Sequence, residues 1–244
     1  MILHIPHSST GIPGDLRSSL LVSDAELREE LIAMTDHLTD LLFESPGAAR
    51  VVYPVSRLVV DPERFLEDAQ EPMAARGMGV VYEVTSKGAR LRDLPTTAQR
   101  KELVDRFYVP HHEALADAAD RLLETDGDCL LLDCHSFPSR ARAFELNPTA
   151  PRPEICLGTD SFHTPPELVA AATAAFDGEG FTVEVDSPYR GTLVPARHYR
   201  RQPLLRSLMI EVNRGLYLDE LTGLPLAAFE ETRRRISRAL ARLA

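Results

Sequence analysis

Residues 129–133 read CLLLD, and the chain continues as CHSFP over residues 134–138. The four apolar residues stand side by side instead of alternating with polar ones, which is typical of a strand that is covered on both faces. Strands of this kind belong to parallel sheets that carry helices on both sides. Strand-like runs recur along the chain at residues 2–5, 51–55, 79–84, 129–133, 155–158, 181–185 and 207–212.

Helical patterns lie between these runs. The clearest begins at SDAE, where Ser23 and Glu26 form a capping box, and its apolar stripe predicts a helix that continues to about Phe43. Further helices are predicted at about residues 97–124, 166–177 and 227–243. Strands that alternate with helices indicate an α/β protein, a three-layer α/β/α domain around a mostly parallel mixed sheet.

Two local signals interrupt this pattern. Pro110 lies inside the predicted helix 97–124 and should kink or break it, because proline has no N–H to donate to the preceding turn. The segment VVYEVTSKGARLR, with Lys87 and Gly88 at its turn, predicts a hairpin at the rim of the sheet.

The composition is that of a globular protein. With 244 residues, of which 44% are hydrophobic and 26% charged, the chain can bury a large core, and we expect a single domain over residues 1–244. No apolar run approaches the roughly 20 residues of a membrane-spanning helix, and the first residues do not form a signal peptide. We therefore expect a soluble, cytoplasmic protein that does not bind membranes.

The net charge argues against a nucleic-acid partner, and the cysteines argue against a disulfide framework. A formal net charge of −10 argues against nucleic acid, because phosphate binding usually requires a basic face. It also disfavours anionic small molecules unless arginines gather locally. Cys129, Cys134 and Cys156 are odd in number and lack CxxC spacing, which predicts buried reduced thiols.

The ends of three apolar runs carry polar residues that could do chemistry: PHSST, DCHSFP and EVNRG. In an open α/β sheet, ligands collect at the carboxyl ends of the strands. Asp133 and His135 are two residues apart and share a face, whereas Cys134 faces the helices on the other side. Glu211 and Asn213 share a face in the same way. Two strand ends therefore offer an imidazole and a carboxylate to one crevice.

These residues could hold a metal ion. His7, His135 and a nearby carboxylate would supply nitrogen and oxygen ligands to a zinc ion with one open position, and Glu211 could act as the base for a water molecule. No HExxH motif places two ligands on one helical turn. His4 is three residues from His7 and faces the opposite side of an extended segment, so we expect it to pack or to support the ligands.

Seven segments, taken in order, resemble the N-formylglutamate amidohydrolase family over about residues 2–220. They are HIPHSS, MTDHLTDLLF, SRLVVDPER, DCHSFP, SFHTP, SPYRGTLVPARHY and EVNRGLYLD. The resemblance implies a phosphorylase/hydrolase-like α/β/α fold related to the zinc carboxypeptidases, with one zinc ion per chain. It also implies hydrolysis of the amide bond of an acidic N-acyl amino acid, N-formyl-L-glutamate giving formate and L-glutamate.

The resemblance further implies a ligand set of His7, His135 and Asp36. Carboxypeptidase relatives place a glutamate three residues after the first histidine, but that position is Thr10 here, so the carboxylate must come from elsewhere. Asp36, in TDHLTD, is our prediction, although the helical pattern puts it on the polar face, where an exposed acid is expected. His37 is the alternative ligand from the same segment.

Arginines are predicted to hold the acidic substrate. Arg57, Arg64 and Arg190 could bind its carboxylates, because a guanidinium group matches a carboxylate with two parallel hydrogen bonds. Tyr189 and Asn213 could orient the acyl group. His111 and His112, in YVPHHEAL, receive no role from the sequence.

Two alternative functions remain open. One is a deacylase or carboxypeptidase-like amidase for another N-acyl amino acid or small peptide, since the same arginines also fit the α-carboxylate that all such substrates share. The other is a metal-binding descendant of the fold without catalysis, because a fold by itself does not establish activity.

Overall fold

The computed structural model describes residues 1–143, 145 and 148–243. Within them a six-stranded sheet has the order β2-β1-β3-β6-β4-β5, and two short strands form a separate hairpin. The strands are β1 (Ile2–Ile5), β2 (Ala49–Val52), β3 (Cys129–Phe137), β4 (Ile155–Gly158), β5 (Val183–Val185), β6 (Leu205–Asn213), β7 (Leu218–Asp219) and β8 (Leu224–Pro225). The helices are α1 (Gly14–Arg17), α2 (Asp24–Met34), α3 (Thr39–Leu42), α4 (Thr97–Leu103), α5 (Val109–Asp126), α6 (Pro166–Asp177) and α7 (Phe229–Leu240).

The sheet is mixed, as predicted, with a single antiparallel junction among its pairings. β1 runs parallel to β2 and β3, β3 runs parallel to β6, and β4 runs parallel to β5, whereas β4 and β6 are antiparallel. The longest pairing joins β3 to β6 and sets His135 directly opposite Glu211. The predicted strand ends therefore do lie side by side.

Two apolar layers cover the sheet, which confirms the three-layer α/β/α class. On one side, Leu132 and Cys134 of β3 pack with Phe176 of α6 and Ile236 of α7. On the other side, Leu131 packs with residues of α5. The alternation along β3 is the one predicted from DCHS, with Cys134 facing the helices.

All three cysteines are free and buried, as the sequence predicted. Among the residues that the structure describes, no helix has both the length and the apolar character that crossing a bilayer requires.

The prediction for the first long helix is wrong at its C-terminal end. The capping box at Ser23 and Glu26 is present, but α2 ends at Met34 instead of continuing to Phe43. Thr35 is extended, and Leu38 has a φ of 64°. The main-chain N–H of Asp36 leaves the helical pattern and donates to the carbonyl of His7 at 2.9 Å. This tertiary hydrogen bond turns the chain towards the sheet.

Asp36 is buried, whereas the helical pattern predicted an exposed side chain. Its residue surface is only 3% exposed, because the break after α2 carries the side chain inward. A continuous helix would have left it in solvent on the polar face.

The other long helical prediction is confirmed, but at Pro110 the chain stays helical and changes its helix type instead of breaking. Between α4 and α5 the residues Val104–Tyr108 form a π-helical turn, and Pro110 stands at the start of α5. The wider turn accommodates a proline that cannot donate to the preceding turn. The predicted strand at 79–84 does not form. The neighbouring turn does, with Gly88 at a φ of 77° and a lone bridge between Val84 and Arg90.

The close approach of a loop to β4 gives a test of the packing. A Cβ atom at Gly158 would overlap the carbonyl oxygen of Gly191 and the side chain of Met209. We expect Gly158→Ala to lower the free energy of unfolding by about 1–3 kcal/mol or more, the usual cost of overpacking. Urea denaturation measures this change.

Gly14→Ala is the matched control, because a Cβ atom there meets nothing within 4 Å. A Gly158→Ala protein as stable as the Gly14→Ala protein would contradict the described contact between β4 and the loop.

Candidate active site

Three histidine or carboxylate side chains converge at the carboxyl ends of β1, β3 and β6. His7 follows β1, His135 lies near the end of β3, and Glu211 lies opposite His135 in β6. All three residues are buried. The sequence placed these groups at one crevice, and the structure brings them together there.

The ring of His7 is held from one side. Its Nε2 atom lies 2.8 Å from Oδ1 of Asp61. Its Nδ1 atom is buried and has no hydrogen-bond partner within the described part of the chain, although Oδ2 of Asp36 lies 3.8 Å away. With Nε2 occupied, Nδ1 is the nitrogen that His7 has available for a ligand.

Asp61 is held by Tyr82 and by two arginines, Arg57 and Arg64, that the sequence predicts to bind the substrate. Arg57 donates from Nε and Nη2 to Oδ2 of Asp61 at 3.0 and 2.7 Å, and the Tyr82 hydroxyl donates to the same oxygen at 2.6 Å. Arg64 approaches it to 3.8 Å. Burial acts to raise the pKa of Asp61, but the charges of Arg57 and Arg64 hold it well below its usual range. The carboxylate behind His7 is therefore ionised.

The ring of His135 has a carboxylate on each side. Its Nδ1 atom lies 3.2 Å from Oδ2 of Asp36. Its Nε2 atom lies 3.1 Å from Oδ1 of Asp133 and 3.0 Å from Oε2 of Glu63. The same oxygen of Asp36, Oδ2, lies 3.8 Å from Nδ1 of His7. Asp36 is therefore close to both histidine rings.

Asp36 is clamped by Arg214. Nη2 of Arg214 donates to Oδ1 of Asp36 at 2.7 Å, and the main-chain N–H of Ser136 donates to Oδ2 at 3.2 Å. Burial acts to raise the pKa of Asp36, but contacts with His135 and His7 and the charge of Arg214 hold it well below its usual range. The sequence reasoning missed Arg214, although it ends the same EVNR run that supplied Glu211 and Asn213.

Unlike Asp36 and Asp61, Glu211 is not paired with an arginine among the described residues. Its Oε2 atom is buried and has no hydrogen-bond partner among the described residues. Burial, together with the negative charges of Asp36 and Glu63, raises the pKa of Glu211 to about 7, although His135 and Arg214 oppose this shift. A carboxyl group tuned to this range can both take up and release a proton near neutral pH.

The residues predicted to bind substrate lie in different surroundings. Arg190 is the most open, with 79% of its side chain exposed and Asp186 3.9 Å away. The Tyr189 hydroxyl donates to Oε2 of Glu145 at 3.1 Å. Asn213 accepts from the N–H of Gly215 through Oδ1 and donates from Nδ2 to a main-chain carbonyl, so its amide shapes the turn after β6. Their roles in binding substrate stay predictions.

Among the described residues, two groups of His, Asp and Glu side chains have ligand atoms within 4.8 Å of one another: His7, Glu63 and His135, and His4, Glu63 and Asp133. The sequence reasoning missed Glu63, although it stands in the quoted segment SRLVVDPER. In the second group both ring nitrogens of His4 are already occupied, Nδ1 by Asp133 and Nε2 by His111, each at 2.8 Å. That group forms a hydrogen-bonded network.

The first group has ligand atoms without hydrogen-bond partners, which could bind a metal ion. Nδ1 of His7 and Oε1 of Glu63 are buried and lack partners in the described residues. Glu63 belongs to this group, whereas Asp36 lies outside it with Oδ2 3.8 Å from Nδ1 of His7 and 3.2 Å from Nδ1 of His135. Both carboxylates are therefore candidates for the third ligand. His37, the other alternative, packs its ring against Gly223 and belongs to neither group.

Comparison with known proteins gives a consistent result. The N-formylglutamate deformylase of Pseudomonas putida is 24% identical over 231 residues, which is 90% of this chain and 82% of that protein. The crystal structure of N-formylglutamate amidohydrolase from Ralstonia eutropha JMP134 has a TM-score of 0.83 at 27% identity, with 99% of this chain and 91% of that chain covered. A protein of Agrobacterium tumefaciens, 21% identical with a TM-score of 0.62 over 99% of this chain and 90% of its own, has the same fold.

The family model for N-formylglutamate amidohydrolase matches residues 1–218. This match covers most of the 244 residues and includes every side chain of the site described above. The chain therefore belongs to the N-formylglutamate amidohydrolase family.

Proposed function

We propose that this protein is a zinc-dependent amidohydrolase that converts N-formyl-L-glutamate to formate and L-glutamate. The observation that carries the proposal is the burial of two atoms without hydrogen-bond partners in the described structure, Nδ1 of His7 and Oε2 of Glu211. The ring centroids of His7 and His135 are 5.2 Å apart, and Glu211 lies opposite His135 in the sheet. Nδ1 of His7 is available to bind a metal ion, and Oε2 of Glu211 is available to accept a proton. The names of the two relatives, a deformylase and an amidohydrolase for N-formylglutamate, support this substrate.

The residues present fit a zinc ion. We assign the ligands to Nδ1 of His7, Nδ1 of His135 and Oδ2 of Asp36, because Asp36 lies nearest both of these nitrogens, at 3.8 and 3.2 Å. Asp61 and Asp133 contact the opposite nitrogens, as carboxylates behind zinc-binding histidines commonly do. When bound, zinc would polarise the formyl carbonyl and lower the pKa of the attacking water to about 7.

Glu211 then moves the proton. Its free Oε2 atom accepts a proton from the attacking water and passes it to the departing amine of glutamate, which must leave protonated. The pKa near 7 suits both transfers. Arg214 keeps the ligand Asp36 ionised and apart from this exchange, because it holds the other carboxylate oxygen.

The acidic substrate requires positive charge at the mouth of the site. Arg57 is committed to Asp61 through two nitrogens, so we propose that it keeps that carboxylate charged. Arg64, with 20% of its side chain exposed, and the open Arg190 remain the arginines proposed to meet the substrate carboxylates.

A first test separates the two candidate carboxylate ligands. We expect Asp36→Asn to weaken zinc binding by about 100-fold or more, because it removes the charge that faces both histidines, and Glu63→Gln to change it by less than about threefold. Competition with a chromophoric chelator measures both dissociation constants.

The loss of Asp36 also leaves Arg214 as a buried unpaired charge, so circular dichroism must first show that the variant is folded. The reverse ranking, with Glu63→Gln losing the metal, would transfer the third ligand position to Glu63.

A second test concerns the base. Glu211→Gln keeps the size of the side chain and removes its basicity, so turnover should fall by roughly 100-fold or more while zinc content stays at that of the parent. Formate release and metal analysis measure the two effects. Full amidase activity in the zinc-loaded variant would exclude Glu211 as the base.

A third test addresses the substrate. We expect the ratio kcat/KM to be at least about 10-fold higher for N-formyl-L-glutamate than for N-formyl-L-glutamine, because the amide removes the charge that Arg64 and Arg190 are proposed to meet. N-acetyl-L-glutamate tests the acyl group in the same assay.

A preference for a different acyl amino acid would favour the deacylase alternative. Zinc binding without hydrolysis of any member of the panel would favour a non-catalytic descendant of the fold.

A further inference from the structure

Arg152 lies over the last residue of β3. Its guanidinium carbon is 5.6 Å from the ring centroid of Phe137 and 5.7 Å from that of Tyr189, and the two rings meet edge to face at 5.6 Å. Phe137 is two residues after His135 in β3, so both side chains project from the same face of the sheet. Arg152 therefore lies beside the face that carries the candidate active site.

Tyr189 brings this group of side chains next to Glu211. Cys156 lies opposite Glu211 in the pairing of β4 with β6, and its Sγ atom donates to the carbonyl of Tyr189 at 3.3 Å. Burial, followed by the negative charge of Glu211, raises the pKa of Tyr189. Both observations place Tyr189 beside the proposed base.

The carboxylate of Glu145 is bound to this arginine and this tyrosine. Its Oε2 atom accepts from Nη2 of Arg152 and, at 3.1 Å, from the hydroxyl of Tyr189, which in turn accepts from Nη1 of Arg152 at 3.1 Å. Its Oε1 atom accepts from the main-chain N–H of Arg142 at 2.7 Å. Glu145 is only 8% exposed. A guanidinium group, a hydroxyl and a main-chain N–H around one buried carboxylate are the donors with which proteins recognise carboxylate ligands.

Arg152 has a further donor that Glu145 does not use. Its Nε atom is buried and has no hydrogen-bond partner among the described residues. Arg57, by contrast, gives both Nε and Nη2 to Asp61. A guanidinium group binds a carboxylate most strongly through two parallel N–H groups. Arg152 gives Glu145 one nitrogen and could offer a ligand two.

We infer that Arg152 and Tyr189 bind one carboxylate of the acidic substrate, and that the carboxylate of Glu145 fills this position in the free protein. The inference rests on the proposed function for the identity of the substrate. Arg64 lies near Asp61 on the side of β1, whereas Arg152 comes just before β4 on the other side. The two carboxylates of N-formyl-L-glutamate are then held from opposite sides. Because one carboxylate replaces another, Arg152 is never buried without a partner.

Two substitutions separate ligand binding from a purely structural ion pair. Glutarate is the probe, because it carries two carboxylates on the five-carbon chain of glutamate and has no amide to hydrolyse. Arg152→Gln should raise the dissociation constant of glutarate at least about 10-fold. Glu145→Gln should lower it about 3- to 10-fold, because the chain no longer occupies its own pocket. Isothermal titration calorimetry on the full-length protein measures both constants. A structural ion pair predicts changes in the same direction.

Two further variants serve as controls. Arg152→Gln leaves Glu145 as a buried unpaired carboxylate, so the double variant Arg152→Gln, Glu145→Gln removes both charges and should bind glutarate as weakly as Arg152→Gln. Arg206→Gln should leave binding unchanged, since Arg206 pairs with Asp128 at the opposite end of β6. Parental binding in the double variant, or binding in Glu145→Gln that is no tighter than in the parent, would overturn the inference.

Hydrolysis assays distinguish failure of this inference from failure of the proposed function. If glutarate binding changes as expected but no N-acyl amino acid is hydrolysed, the proposed function fails and the carboxylate pocket stands. If Arg152→Gln hydrolyses N-formyl-L-glutamate with the parental KM, the pocket is overturned and the proposed function stands.

Discussion

The ion pair between Asp36 and Arg214 is the constraint on which the site depends. Both side chains are only 4% exposed, and Arg214 also donates to the carbonyl of Ala33 at the end of α2 and to Ser136 at the end of β3. The guanidinium group of Arg214, which follows β6, therefore joins the ends of α2, β3 and β6. Burying two charges is costly, and removing either partner of such a pair typically costs about 3–5 kcal/mol. An apolar contact could join the same elements without that penalty, so the pair is better explained by the charged oxygen it presents to His7 and His135.

The same reasoning divides the buried acids of the site into two kinds. Asp61 is matched by Arg57, Asp36 by Arg214, and Asp133 by contacts with His4 and His135, and their pKa values lie well below the usual range although burial opposes this. Within the described residues, Oε2 of Glu211 has no hydrogen-bond partner, and burial raises the pKa of Glu211 to about 7. The acids proposed to stay charged are thus paired, whereas the acid proposed to exchange a proton is one whose pKa is raised mainly by burial. The net charge of −10 does not predict this division. The division depends on which acids have an arginine or histidine beside them.

The sequence predicted those features that follow from local periodicity. Continuous apolar runs gave the central strands, the parity of DCHS placed His135 and Cys134 on opposite faces, and SDAE gave the start of α2. It could not predict the end of α2, since a hydrogen bond to His7, far away in the chain, competes there with a helical pattern that remains favourable in isolation. The exposure of Asp36 was wrong for this reason. Glu63 and Arg214 were missed because the choice among neighbouring charged residues in SRLVVDPER and EVNRG depends on the fold around them.

Sheet register explains why the chain places two histidines so close to its first residue. In β1, His4 lies opposite Asp133 of β3, and two residues farther along β3 His135 lies opposite Glu211 of β6. Adjacent parallel strands therefore set imidazole beside carboxylate twice, in successive rows on one face of the sheet. A slip of one residue would turn every one of these groups to the opposite face and into the apolar layer of α6 and α7. The hydrophobic pattern that fixes the register thereby also fixes the partners of His135, while His7, beyond the last paired residue of β1, is free to turn its ring towards Asp61 and Asp36.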